Sequence, residues 1–185
     1  YATWDNGFGK ANPLEGIGNG DVLIIEKKCN NTYIQDITLK NAMDDATGRN
    51  IALHDCSDKT IVKNTCLWGY QDTYVSNNQN GKFYFEDGVI RGRTDYICGK
   101  GDVYFNKVTF RQVKSGYLAV PSNPKKYGYI LQSCKIIGDT QDVNGTYTLG
   151  RPWGSGTPIA LCIDTKMNVV PSAIGWNEMS GGWPK

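Results

Sequence analysis

Two aspartates lie 23 residues apart in short polar segments, Gly69-Tyr70-Gln71-Asp72-Thr73 and Arg93-Thr94-Asp95-Tyr96-Ile97-Cys98-Gly99. Two carboxylates that face each other drive their proton affinities apart. One keeps its proton and can act as an acid, while the other stays ionised and can act as a nucleophile. A guanidinium beside the ionised one would hold its charge, and Leu149-Gly150-Arg151-Pro152-Trp153-Gly154 offers Arg151 for that task. Taken singly, each segment has a plainer explanation: aspartates capping backbone at turns, Arg151 as a surface charge, Trp153 as packing.

Other hydrolytic chemistry finds little support. His54 is the single histidine, and no Gly-x-Ser-x-Gly elbow is present. A Ser-His-Asp triad would have to run through His54, which lies between Leu53 and Asp55 in a turn-like segment and is expected to be a surface or turn residue. No Cys/His spacing fits a zinc site. The six cysteines, Cys29, Cys56, Cys66, Cys98, Cys134 and Cys162, are far apart. Several fall within apolar patterns, so most are expected to be buried thiols rather than disulfides.

For Asp72 and Asp95 to meet, the chain must bring positions this far apart in sequence into register. Five six-residue windows share one pattern: Ile34 to Leu39, Val62 to Leu67, Phe85 to Ile90, Phe105 to Phe110 and Leu131 to Ile136. Each has an apolar residue first, two mostly polar ones, a small or β-branched one, and an apolar residue sixth. The starts at Ile34, Val62, Phe85, Phe105 and Leu131 are unevenly spaced, as in a solenoid whose coils carry loops of different length. No long 3.6-residue apolar period is present, so helix should be scarce. An antiparallel sandwich is the alternative, but Asn6-Gly7, Asn19-Gly20, Asn80-Gly81 and Asn144-Gly145 do not separate matched strand pairs in series. The pattern favours an all-β parallel solenoid, in which residues one coil apart stack about 4.8 Å from each other.

Gln71-Asp72-Thr73-Tyr74, Asp95-Tyr96-Ile97-Cys98-Gly99 and Leu149-Gly150-Arg151-Pro152-Trp153 resemble, in the same order, the signature segments of the pectin methylesterase family. The family's versions read Gln-Asp-Thr-Leu, Asp-Phe-Ile-Phe-Gly and Leu-Gly-Arg-Pro-Trp. Cys66-Leu67-Trp68-Gly69-Tyr70 and Ile174-Gly175-Trp176 are also similar. The resemblance runs from about Tyr33 to Trp176. It implies a right-handed parallel β-helix with an open cleft, and hydrolysis of the methyl ester at C6 of galacturonate in pectin without metal or cofactor. Asp95 matches the nucleophile and Asp72 the acid that protonates methanol and then activates water. Gln71 matches an oxyanion donor, Arg151 the partner of the nucleophile, and Trp153 an aromatic wall for a sugar ring. Tyr74 and Tyr96, which replace the family's apolar or aromatic neighbours of these residues, are expected to contact substrate. Counted back from Gln71 at the family's spacing, the family's second glutamine falls on Arg49. Arg49 could donate to the oxyanion or grip a substrate carboxylate, or Asn50 could donate after a one-residue shift. Cys98 stands where the family places a phenylalanine, and is expected to pack as a buried thiol rather than act in redox chemistry.

A lyase or glycosidase on the same fold, a non-catalytic pectin-binding solenoid, and an esterase or thioesterase acting on another acyl group remain the competing functions. A lyase would require a calcium cluster, and Asp44-Asp45 reads better as a solvated turn. The 185 residues are expected to form a single β-helix domain truncated at both ends, because neither Tyr1 nor Gly181-Gly182-Trp183-Pro184-Lys185 resembles a solenoid cap. A net charge of +2 gives no reason to expect nucleic acid or a membrane as partner. No run approaches the roughly 20 apolar residues of a membrane span, and no signal peptide is recognisable. A polymeric wall substrate nevertheless implies a secreted, periplasmic or cell-surface protein, expected to act as a monomer. The sequons at Asn30 and Asn144 carry little weight.

Overall fold

The computed structural model describes residues 20–45, 48–122, 127–154 and 158–179. The chain's two ends and the Asn6-Gly7 pair lie outside them. Among the described residues every strand pairing is parallel. The sixteen strands are β1 (Leu23–Ile25), β2 (Tyr33–Gln35), β3 (Thr38–Lys40), β4 (Leu53–Asp55), β5 (Thr60–Lys63), β6 (Cys66–Trp68), β7 (Tyr74–Ser76), β8 (Lys82–Glu86), β9 (Val89–Gly99), β10 (Asp102–Asn106), β11 (Thr109–Pro121), β12 (Tyr129–Gln132), β13 (Lys135–Gly138), β14 (Thr148–Gly150), β15 (Ala160–Ile163) and β16 (Lys166–Met167). Each coil contributes three strands to three faces. The first face stacks β1, β4, β7, the second halves of β9 and β11, and β14. The second stacks β2, β5, β8, β10, β12 and β15. The third stacks β3, β6, the first halves of β9 and β11, β13 and β16. The described residues form six coils of a parallel β-helix, wound right-handed as parallel crossovers are. Helix among the described residues is limited to short 3-10 turns such as Gln141–Val143.

The six-residue windows are not single strands. Each spans the end of a strand on the second face, a two-residue corner, and the start of a strand on the third. The first corner residue is left-handed on every coil: Asp36, Asn64, Asp87, Lys107, Ser133 and Asp164 have φ between 45° and 57°. The corners stack through backbone bonds, with the Asp36 N–H donating to the Lys63 carbonyl at 3.2 Å and the Asn64 N–H to that of Glu86 at 2.9 Å. Asp and Asn tolerate this conformation better than most side chains, which accounts for the polar third position. A sixth window, Cys162 to Met167, completes the series. The coil from Leu131 to Cys162 is longer than those before it, and a cysteine replaces the large apolar first residue.

Inward positions form one continuous core. Ile34, Val62, Phe85, Phe105 and Leu131 stack along the second face. The Phe105 ring lies 5.1 Å from Phe85 and 5.2 Å from Phe110. Burying each such side chain contributes about 1.5–3 kcal/mol, and edge-to-face pairs add about 0.5–1.5 kcal/mol each. None of the six cysteines is in a disulfide among the described residues. Cys56, Cys98 and Cys134 are buried, Cys66 is half-buried, and Cys29 and Cys162 are exposed.

His54 corrects an expectation. It is neither a surface nor a turn residue but the centre of β4, with no exposed surface. Its Nδ1 lies 2.7 Å from Asp21 Oδ2, and its Nε2 is 3.1 Å from Asn77 Nδ2. Among the described residues no serine is bonded to its ring.

Candidate active site

The corner between the third and first faces carries the two aspartates. Asp72 lies between β6 and β7, and Asp95 occupies the equivalent place one coil on, inside β9. The bridge between Gln71 and Thr94, the bond from the Asp72 N–H to the Thr94 carbonyl (3.1 Å), and the pairing of Tyr74 with Ile97 fix the register. Both residues are left-handed, with φ of 56° and 53°. Strained backbone stacked on successive coils turns both carboxylates out of the sheet and into one place. Gly99 closes the segment at φ 120°, where an added Cβ would come within 2.4 Å of the Ser76 carbonyl oxygen.

Asp72, Asp95, Gln71, Arg49, Arg151 and Trp153 line one pocket, together with Cys98, Val120 and Met179. Its volume is about 130 Å³, well below the roughly 300–1,000 Å³ that encloses a whole small ligand. One functional group can enter while the rest of a ligand lies across the mouth.

Each carboxylate has its own guanidinium. Arg151 grips Asp95 with both ends of its fork, Nε to Oδ1 at 3.0 Å and Nη2 to Oδ2 at 2.6 Å. The Arg151 backbone is bound to Ala119 O at 3.0 Å, and its guanidinium lies 3.9 Å over the Tyr117 ring. Arg49 meets Asp72, with Nε 2.9 Å from Oδ2, and its side chain is 37% exposed.

These surroundings separate the two acids. Burial and the neighbouring Asp95 push the Asp72 carboxyl up to about 7, and Arg49 opposes them without prevailing. Burial also raises Asp95, but there the bidentate Arg151 pulls the other way. Near neutrality the pocket therefore holds one carboxyl that is protonated about half of the time beside one whose negative charge is matched on both oxygens. A pair of this kind can supply an acid and a nucleophile. Among the described residues no three His, Cys, Asp or Glu side chains gather as a metal cluster.

Cys98 points outward between Val75 and Val120, in register with both. It is 2% exposed, and burial holds its thiol well above the ordinary range. The thiol donates a hydrogen bond to Asp72, a packing role rather than a redox one. Asn50 does not open on the pocket. It is fully buried, and its side chain accepts from the Gln71 N–H at 3.2 Å and donates to Asp44 O at 3.0 Å. It braces Gln71 and leaves Arg49 as the cleft residue of that pair.

Tyr74 and Tyr96 are corrections. Both have no exposed surface and face the core. The Tyr74 ring sits 4.6 Å from Phe85, and the Tyr96 ring 6.5 Å from Phe110. They cannot touch a ligand without the coil coming apart. Tyr117 and Met179, which the sequence did not single out, are near the carboxylates instead. Tyr117 is reached through Arg151, and Met179 packs with Trp153 against Ile51, Val75, Cys98 and Val120.

Comparison with known proteins follows the same line. Residues 24–184 match the model of the family described as Pectinesterase. Pectinesterase B of Pectobacterium parmentieri is 29% identical over 155 residues, covering 72% of this chain and 39% of that protein. A pectinesterase of Aspergillus aculeatus is 27% identical over 181 residues, covering 92% and 54%. The structure of a pectin methylesterase from Yersinia enterocolitica superposes with a TM-score of 0.79 at 24% identity, covering 93% of this chain and 65% of that one. The chain thus spans between about two fifths and two thirds of these relatives' lengths.

Proposed function

Because the chain belongs to the pectinesterase family, we propose that its pocket hydrolyses the methyl ester at C6 of galacturonate units in pectin, with Asp95 as nucleophile and Asp72 as acid and base. The observation that carries this reading is the convergence of Asp72, Asp95, Gln71 and Arg151 in one pocket, with Arg151 bonded to Asp95 alone of the two aspartates.

A carboxylate oxygen of Asp95 adds to the ester carbonyl carbon, and the carbonyl oxygen becomes an oxyanion. The Gln71 amide lines the pocket as a neutral donor for that charge. Collapse breaks the bond to the methoxy oxygen, which takes the Asp72 proton and leaves as methanol. Asp95 is then joined to the galacturonyl group as an anhydride. Ionised Asp72 takes a proton from water, and the hydroxide adds to the galacturonyl carbon. Asp95 departs as a carboxylate, Asp72 is protonated again, and the galacturonic acid unit is released and loses its proton to water. The small pocket suits this sequence, since only the ester group has to enter and the polymer runs past Trp153 at the mouth. A polymer of this size does not cross membranes, so the protein works outside the cell. Among the described residues no helix is long and apolar enough to cross a membrane.

The test is methanol release from methylated pectin by the unaltered chain, Asp95→Ala and Asp72→Ala. Each substitution is expected to lower the rate by at least ~10³-fold. Equal rates in all three would refute the mechanism. Binding of pectin with no methanol from the unaltered chain would leave a binding solenoid instead.

A further inference from the structure

The second face carries a feature that the pocket does not use. Its outward positions should be polar if solvent were their only neighbour. Instead Tyr33, Ile61, Tyr84, Tyr104, Ile130 and Leu161 stand in register from coil to coil. At about 4.8 Å per strand, this apolar row is about 24 Å long.

The row is not flat. Ile61 is shorter than the tyrosines on either side, and Tyr33 and Tyr84 are two strands apart, roughly 10 Å. Between them lies an open groove of about 350 Å³, lined by Tyr33, Ile61 and Tyr84 with Lys59 and Lys82 alongside. Both walls are held in place. One face of the Tyr84 ring stacks on Tyr104 (centroids 5.9 Å apart, 16° between planes), and its hydroxyl accepts from Asn106 Nδ2 at 3.1 Å. The Tyr33 hydroxyl donates to Gln35 Oε1. Both lysines are exposed, and no carboxylate lines the groove.

We propose that this groove is a second, non-catalytic binding site for an acidic sugar unit of a polyuronate. A pyranose ring has an apolar C–H face and a hydroxyl rim. Two aromatic walls roughly 10 Å apart admit one such ring between them, over an aliphatic floor. The two exposed lysines supply charge that a uronate would match and a neutral sugar would not, although the Asp58 carboxylate, which accepts from the Lys82 N–H at 3.0 Å, and Asp102, in register with Lys82, lie beside the lining. The site holds polymer while the pocket on another face works on it, and its existence does not depend on the hydrolytic reading.

The experiment measures binding of the chain to polygalacturonate and to a neutral galactan, by calorimetry at low and at moderate salt. It compares the unaltered chain with Lys59→Glu/Lys82→Glu and with Tyr33→Ala. Methanol release from short methylated oligogalacturonides, and sedimentation, are followed in parallel. Polygalacturonate binding is expected to weaken by about 10-fold or more in the lysine variant, and to weaken in Tyr33→Ala as well. Release from short substrates should be unchanged. Undiminished polymer binding in both variants overturns the proposal. So does equal binding of the galactan, or a concentration-dependent dimer that the same substitutions abolish, since the occupant would then be a second copy. If the unaltered chain releases no methanol yet the variants lose polymer, the groove stands and the hydrolytic reading falls.

Discussion

Replacing Asp72 by Asn should stabilise the protein, and do so more at high pH than at low. In the unfolded chain Asp72 ionises near 3.8, whereas in the fold its carboxyl is pushed up to about 7. Between those values the unfolded state holds fewer protons than the folded one, so stability falls as pH rises through that window, and the loss is complete above about 7. The gap at 1.36 kcal/mol per pH unit is worth about 4 kcal/mol in full. Asp72 is only 7% exposed, so solvent screens little of it. Asparagine keeps the shape and does not titrate, and Arg49, already 37% exposed, stays solvated when its partner is neutral. From pH 5 to pH 8 the variant should gain about 2.5 kcal/mol on the unaltered chain. In a protein of this size that is roughly 5–10 °C in Tm. Urea denaturation of both proteins at the two pH values measures the difference, and acids common to both cancel. A constant difference would show that Asp72 does not titrate in this window. A gain that shrinks as pH rises would mean that Arg49 outweighs burial, leaving Asp72 ionised and unable to protonate methanol.

Two further outcomes follow from the same geometry. Arg49 favours the ionised form of Asp72, so Arg49→Gln should move the alkaline limb of the rate profile upward, on the order of one pH unit; an unmoved limb would remove Arg49 from control of the acid. The buried Tyr96 hydroxyl has no hydrogen-bond partner among the described residues. Tyr96→Phe should therefore change stability by less than about 1 kcal/mol and leave methanol release intact, whereas Tyr96→Ala should cost about 3–5 kcal/mol. A rate lost in Tyr96→Phe at unchanged stability would return that residue to the substrate site.

The coil spacing made the aspartate register readable from residue types alone. In a parallel solenoid, sequence separation converts directly into stacking, and the step from Asp72 to Asp95 is one turn here. The corners were readable only as polar positions, because a left-handed residue leaves no mark beyond a preference for Asp or Asn, and Lys107 and Ser133 ignore it. The same conformation misled the reading of Tyr96. A positive φ at Asp95 breaks the two-residue alternation of a strand, so the following side chain enters the core instead of lining the cleft beside the acid. Tyr74 follows the Asp72 corner and is likewise the first inward residue of its strand. His54 was misplaced because three residues of strand between short loops look like a turn, and its partners Asp21 and Asn77 come from neighbouring coils. Tyr117 was out of reach for a related reason: it touches the site only through Arg151, across an irregular register between β9 and β11.

Asp72 and Asp95, one residue type one coil apart on the same corner, start with identical chemistry and nearly identical backbone. The ladder gives them a common spacing and a common strain, so it cannot assign their roles. That assignment falls to what approaches from outside the ladder. Arg151 is fixed by a backbone bond to β11 and by the Tyr117 ring, and it spans both oxygens of Asp95. Such a pair is costly to break, so the charge stays there. Arg49 pairs with Asp72 but keeps over a third of its side chain in water, and its hold does not offset burial and the Asp95 charge. Proton and charge are therefore divided by how far each of two arginines is withdrawn from water, 37% of the Arg49 side chain being exposed against 22% of Arg151. Arg49 nevertheless favours the ionised form of Asp72, so the protonation of that carboxyl depends on a residue able to oppose it.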